Sequence, residues 1–487
     1  MHTLPGPTQH VTPHLGWLGI MRLGLVQASL GAVVVLATGT LNRIMIVEIG
    51  LPAMVPGMLV AWHYLIQILR PRLGHGSDRG GRRTPWILGG VALLGLGAVG
   101  AAMATTVMQA HPIVGLLLAL IDYSFIGIGV GCAGTSLLVL LAQRTQPERR
   151  PAAATVVWIM MIAGFVVTTI LAGQALEPYS PERLVRVVTV VAALALLIST
   201  LAVWRVERRA SWAEMDTSAA SIESASIESA PIQSRAALSS GAYSSGAQSH
   251  DSSRPQSSFL AALREVWQER TARNFATFVF VAMLAYSAQE LLLDPFAGAV
   301  YGYTPGASTQ LSGVQHGGAL LGMILVALSA SRRNGRALAT PRLGTLSGCI
   351  ASALMLALVA VAAIAHLHWS LRPMIFLLGV ANGCFAVSAI ASMMQMVGQG
   401  SRRREGVRMG VWGAAQALAF AFGGLGATGL LDLSRMVWTD PGHAYGAVFC
   451  VQAGLFLFAA HLAHRLWGVS QPAPQPSQRA ESGLVTS

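Results

Sequence analysis

The chain has 487 residues, 53% of them hydrophobic and only 11% charged, with a mean hydropathy of +0.57. Soluble proteins carry about 25% charged residues, and a single soluble core stops growing near ~250–300 residues, so water is excluded as the main solvent and lipid is implied. The formal charge of +12 is carried by arginine, since no lysine occurs; these arginines fall between apolar stretches rather than on one basic soluble face, which excludes nucleic acid as the partner.

The N-terminal "MHTLPGPTQHVTPH" lacks a basic segment followed by an apolar one, so no cleaved signal peptide is expected. A helix crossing the hydrocarbon core needs roughly 20 mostly apolar residues. On that basis the first half holds six spans, at about 22–46, 52–70, 84–107, 112–141, 153–173 and 184–204. A long polar segment, 205–272, follows. Its centre is serine-rich, repeats "SIESASIESA" at 221–230, and cannot bury enough apolar area to fold, so it reads as a linker. At its end Phe259, Leu263, Val266 and Trp267 share one helical face, which predicts a short interfacial helix. Six more spans follow at about 274–297, 308–330, 342–365, 371–398, 409–430 and 442–467, then a disordered tail.

The fold class expected is an all-α membrane protein of twelve transmembrane helices in two six-helix repeats. Its parts are an N-terminal half (1–204), a cytoplasmic linker (205–272), a C-terminal half (273–467) and a cytoplasmic tail (468–487). Arginine placement is an independent check. With both termini cytoplasmic, only Arg43, Arg183, Arg186, Arg372 and Arg435 fall outside, and the other 27 of 32 lie on the inner side. That asymmetry is the one the positive-inside rule requires. Cys132, Cys349, Cys384 and Cys450 all lie in apolar segments without a C-x-x-C pair and read as small packing residues, not disulfides or a metal site.

Two repeats around a central linker suggest an axis along the membrane normal. His63 and His316 are 253 positions apart, and Trp158 and Trp412 are 254 apart, in corresponding spans. The turn between spans two and three, "LRPRLGHGSDRGGRRTPW" at 69–86, holds Gly74, Asp78, Arg79, Gly81, Arg82 and Arg83. The glycines allow a sharp turn, Asp78 is placed to cap or pair at a neighbouring helix end, and the arginines anchor on the lipid surface. A generic positive-inside loop is the plainer alternative. In this position the pattern resembles the signature loop of the major facilitator superfamily. The second half's loop, "SRRNGRALATPR" at 331–342, keeps arginines but lacks the Gly and Asp skeleton.

The stretch at 39–87 and "YSAQELLLDPFAGAVYG" at 286–302 resemble the PucC family of photosynthetic bacteria, also called the bacteriochlorophyll delivery family. The likeness covers the spans and omits the linker and both tails. The form of the turn at 69–86 is closest to the LhaA branch, which serves the core light-harvesting antenna. The resemblance implies a non-enzymatic assembly factor that binds or delivers bacteriochlorophyll (with carotenoid a further candidate) in the photosynthetic intracytoplasmic part of a bacterial inner membrane. Implied partners are lipid, the light-harvesting α and β polypeptides, the reaction centre or core antenna complex, and a pigment-synthesis enzyme or insertion machinery.

Ionisable residues inside spans are costly and therefore candidates for function. Arg43 and Glu48 end span one; Glu290 and Asp294, at i and i+4, share a face near the same end of span seven. Equivalent spans can face each other across the axis, with Arg43 neutralising one or both acids of span seven. The group is then either a latch between the halves or a coupling site, and its place near one membrane face argues for the latch. Asp122 in span four is a lone acid. His63 and His316 can ligate the magnesium of a chlorin through a neutral imidazole nitrogen, or hydrogen-bond across a helix interface, the more ordinary role. The glycine rows Gly127, Gly129, Gly131 and Gly134, and Gly423, Gly424, Gly426 and Gly429, read as close-packing faces.

A secondary transporter of a small amphipathic solute or tetrapyrrole is the competing class, on the same fold. Against it, polar candidates away from the span ends are few: Asn382, Gln416 and the two histidines. A prenyl-transferring enzyme would need clustered aspartates to hold magnesium on a diphosphate. Of seven aspartates, no two lie within five residues of each other.

Overall fold

The computed structural model describes residues 15–69, 82–146, 149–207, 268–330, 341–367, 371–398 and 405–468. Among these, the first half consists of α1 (Trp17–Glu48), α2 (Met54–Leu69), α3 (Thr84–Met108), α4 (Pro112–Arg144), α5 (Arg150–Ala175) and α6 (Pro181–Val203). The second consists of α7 (Arg270–Tyr301), α8 (Pro305–Ala330), α9 (Pro341–Ile364), α10 (Leu371–Gly398), α11 (Glu405–Val437) and α12 (Pro441–Gly468). Eleven are long and apolar enough to cross a membrane, and α2 is shorter within the described residues. The protein is all-helical there, with no strand. The expected linker, interfacial helix and tail lie outside the described residues, as do Gly74, Asp78, Arg79 and Gly81.

Every expected span falls on a helix, and most helices run past the apolar stretch. Hydropathy marks the part that needs lipid, whereas backbone hydrogen bonding continues until a cap stops it. Proline occupies the first turn of α3, α4, α5 and α6, where its missing N–H costs nothing. Caps complete several starts. Ser180 accepts from the Arg183 amide at 3.2 Å and Thr304 from the Ala307 amide at 3.1 Å. Asp440 accepts from both the amide (3.0 Å) and Nδ1 (2.6 Å) of His443, and these bonds hold its carboxyl below the usual carboxylate range.

Each half has its own apolar core, one drawn mainly from α1–α6 and the other from α7–α12. Leu291 and Met323 join the first core, and Ile46 and Ala53 the second, so the halves interlock. Leucine, isoleucine and methionine side chains stay exposed around the bundle, among them Leu96 at 67% and Ile113 at 76%. That is the surface a bilayer would solvate. Of the glycine rows, Gly127, Gly129 and Gly423 pack against backbone of neighbouring helices, whereas Gly134, Gly426 and Gly429 face open space. The rows therefore close only part of each interface.

Candidate functional site

Helices α1 and α7 meet where each departs from regular geometry. Two π-helical turns, Leu36–Thr40 and Ile44–Glu48, bracket Asn42 and Arg43 in α1. In α7, Pro295 follows Asp294. Proline has no N–H, so the carbonyl four residues earlier, that of Leu291, loses its helical donor. Asn42 Nδ2 donates to that carbonyl at 2.7 Å. One irregularity satisfies the other. The signal was readable as a proline inside an apolar span, but its partner was not.

Arg43 is 2% exposed. Its Nη1 pairs with Glu48 Oε1 at 2.6 Å, and its Nη2 donates to the Tyr303 carbonyl at 2.5 Å. The direct ion pair of Arg43 is thus made within α1, where the π turn brings positions i and i+5 together, and not with the α7 acids. Tyr303 follows the left-handed Gly302 that ends α7, and a cation is favoured at such a helix C-terminus. Asp294 accepts instead from Ser312 Oγ of α8 at 2.5 Å. Two glycines make room for this approach. A Cβ on Gly39 would stand 2.8 Å from Asp294 Oδ2, and one on Gly298 would stand 2.9 Å from Arg43 Nη2. Glu290 is half-buried and makes no hydrogen bond or ion pair among the described residues.

Further ties between the halves lie at this same end, far from the linker. The Thr40 and Thr309 hydroxyls are 3.0 Å apart, and Thr304 donates to Glu177. Asp432 of α11 accepts from the amides of Ala53 (2.9 Å) and Met54 (2.8 Å), so a carboxylate of one half caps α2 of the other. Sequence reading missed Asn42, Glu177 and Asp432. Each is one polar residue near a helix end, with nothing in the local pattern to name its distant partner.

The linker end is organised by a different carboxylate. Glu207, just beyond α6, accepts from the amides of Arg83 and Thr84 at 2.9 Å and from the Thr84 hydroxyl at 2.8 Å. It caps α3 directly after the signature turn. Arg83 Nε donates to Gln143 at 3.1 Å. Arg22 donates to the Ala202 carbonyl at 2.9 Å and to that of Trp204, while Arg144 reaches the Val206 carbonyl at 3.5 Å.

The two histidines share one arrangement. His63 Nδ1 lies 2.6 Å from the Val60 carbonyl, and His316 Nδ1 lies 2.7 Å from that of Ser312. A carbonyl only accepts, so Nδ1 carries the proton in each ring and Nε2 of the neutral ring is the basic nitrogen. That donor chemistry fits a magnesium ligand, whose other N–H is usually fixed in this way. The space does not fit. His63 and His316 are 1% and 4% exposed, and their rings pack against Tyr64 at 4.0 Å and Phe165 at 4.9 Å. Neither offers an open face to a flat macrocycle. Asn382 joins a buried chain, accepting from Ser352 at 2.8 Å and donating to Gln289 at 3.2 Å, while Gln416 is half-buried. Asp122 lies against Gly100 of α3 and makes no hydrogen bond or ion pair among the described residues. Along this α3–α4 seam opens an apolar cavity of about 240 Å³, lined by Pro85, Trp86, Gly89, Gly90, Leu93 and Cys132.

Comparison with known proteins places these features in a family. The profile described as PUCC protein matches residues 40–242 and 237–470. The chain is 46% identical over 450 residues to the bacteriochlorophyll synthase 44.5 kDa chain of Rhodobacter capsulatus, covering 92% of this chain and 95% of that one. It is 25% identical to the PucC protein of Cereibacter sphaeroides, over 90% of this chain and 89% of the other. Its fold is similar to a bacterial homologue of the human lysosomal transporter Spinster, with a TM-score of 0.62, 14% identity, and coverage of 94% of this chain and 98% of that one. The likeness in fold extends to a D-xylose–proton symporter, with a TM-score of 0.62, 12% identity, and coverage of 90% of this chain and 97% of that one.

Proposed function

The chain belongs to the PUCC protein family, and on that premise we propose that it is a non-enzymatic assembly factor for a photosynthetic light-harvesting complex. In this reading it binds or delivers bacteriochlorophyll, antenna polypeptides or both within the bilayer. The complex proposed is the core antenna around the reaction centre, following the form of the turn at 69–86, and the location is the photosynthetic inner membrane with both termini cytoplasmic. The observation that carries the reading is where the polar side chains go. Arg43, Glu48, Asp294, Asn42 and Asp432 are engaged in ties within and between the halves. The open surface left to a bulky apolar ligand is the lipid-facing one, and the α3–α4 seam opens an apolar cavity in it.

Synthase chemistry on a prenyl diphosphate would need clustered carboxylates to hold magnesium. Among the described residues no group of three or more His, Cys, Asp or Glu side chains is placed to hold a metal ion. A secondary transporter of a small amphipathic solute or tetrapyrrole is the second reading. Glu290, half-buried and unpaired one turn from Asp294, favours it.

The test is purification in mild detergent from a photosynthetic host, with an absorption spectrum and identification of co-purifying proteins. Bacteriochlorophyll or antenna polypeptides are expected with the wild type, and less of them with a Trp86→Ala, Leu93→Ala double variant of the seam. A colourless protein without partners would favour the transporter.

A further inference from the structure

At the linker end a second and larger cavity, about 710 Å³, opens between the start of α3 and the end of α6. That lies within the roughly 300–1,000 Å³ range of small-molecule sites. Its walls are of two kinds. Leu88, Val203 and Pro85 make an apolar floor, while Arg82 and Arg205 stand at the polar side with Trp204. The charges around it can be accounted for one by one. Glu207, the one acid among the described lining residues, is spent on the N-terminus of α3. Carbonyls at the end of α6, which would otherwise attract a cation, are taken by Arg22 and Arg144. Arg83 is turned away to Gln143. Arg82 and Arg205 make no hydrogen bond or ion pair among the described residues. Arg205 also holds a left-handed backbone, φ 58°, that an arginine rarely adopts.

We propose that this cavity binds an anionic amphiphile, its phosphate or carboxylate head between Arg82 and Arg205 and its apolar body on the α3–α6 floor. Two guanidiniums with no hydrogen bond or ion pair among the described residues supply forked donors that match either head group. Leu96 of α3 and Leu201 of α6 are exposed on the same two helices, and Trp204, 59% exposed, has the character of an interfacial anchor. The site stands apart from the ties at the far end and does not depend on what the protein assembles.

The full chain, purified and stripped of lipid in detergent, would be mixed with equal amounts of phosphatidylglycerol and phosphatidylcholine and read by native mass spectrometry. Wild type is expected to retain phosphatidylglycerol about thirtyfold better, the preference two surface cations confer. An Arg82→Gln, Arg205→Gln double variant should fall to parity, and the Arg82→Lys, Arg205→Lys pair should recover most of the preference. Arg372→Gln, at the opposite end, serves as the control and should change nothing. Should the double variant misfold, the wild-type preference measured against rising salt replaces it, and an ion-paired head group requires the preference to fall. Retention of palmitate as well as phosphatidylglycerol would identify the shared anionic class, whereas retention of the phospholipid alone would identify phosphate as the head. Parity in the wild type, an unchanged double variant, or full competition by inorganic phosphate alone would overturn the proposal.

Discussion

A histidine at membrane depth is defined by what holds each ring nitrogen. In His63 and His316 the Nδ1 proton is committed to a carbonyl of the preceding turn, and the rings are almost fully enclosed. Geometry therefore favours a packing role for both, although their tautomer is the one a magnesium ligand would use. Replacing either with phenylalanine keeps ring volume and removes the hydrogen bond. Expected is a modest loss of folded yield, on the ~0.6 kcal/mol scale of membrane hydrogen bonds, with pigment per protein unchanged. Absorption of purified His63→Phe and His316→Phe variants checks this, and a drop in pigment at constant yield would restore the ligand role. Arg43 shows the opposite logic. Its charge is buried, so Glu48 and the Tyr303 carbonyl are needed together to hold it there.

At the scale of helices, two carboxylates do the same work at opposite ends of the N-terminal half. Glu207 caps α3, and Asp432 caps α2 from the other half. Each accepts from two successive amides that would otherwise lack partners at a helix start, where negative charge is also favoured. Glu207→Gln and Asp432→Asn should each lower stability by about 1 kcal/mol, the usual worth of a cap. The two should differ in kind. Loss at Glu207 loosens one helix within a half, whereas loss at Asp432 also loosens the halves from each other. Thermal unfolding in detergent reads the first effect, and protease accessibility of the 50–54 turn reads the second. A wild-type midpoint in both variants would show that water replaces the carboxylates at no cost. The helix lengths follow the same physics, since caps and first-turn prolines, rather than hydropathy, decide where α5, α6 and α8 begin.

For the whole molecule, the described hydrogen bonds between the halves gather at the end where α1 turns into α2 and α7 into α8. That end is tied shut by polar contacts, while the linker end carries most of the arginines. In the proposed topology, which follows the arginine distribution, the linker end faces the cytoplasm. Reporters fused at the N-terminus, within 211–258 and at the C-terminus should therefore score as cytoplasmic, and one near Gly302 as external. An external signal from the 211–258 fusion would reverse the assignment and put the latch on the cytoplasmic face.

Hydropathy alone was enough for the number, order and approximate limits of the helices, because each span must satisfy its own backbone and solvate its own surface in lipid. The two-repeat plan was legible as well, in the matched placement of His63 and His316, whose Nδ1 atoms turn out to be held in the same way. Arg43, Glu48 and Asp294 could be singled out as charges that need partners, but not paired. That choice depended on a π turn that places Glu48 beside Arg43 and on Ser312 arriving from α8 to take Asp294. The bonds of Asn42 to Leu291, of Asp432 to α2 and of Glu207 to α3 likewise join residues more than a hundred positions apart. Only the tertiary structure decides them, because a helix end shows locally that it needs a partner but not which helix will stand beside it.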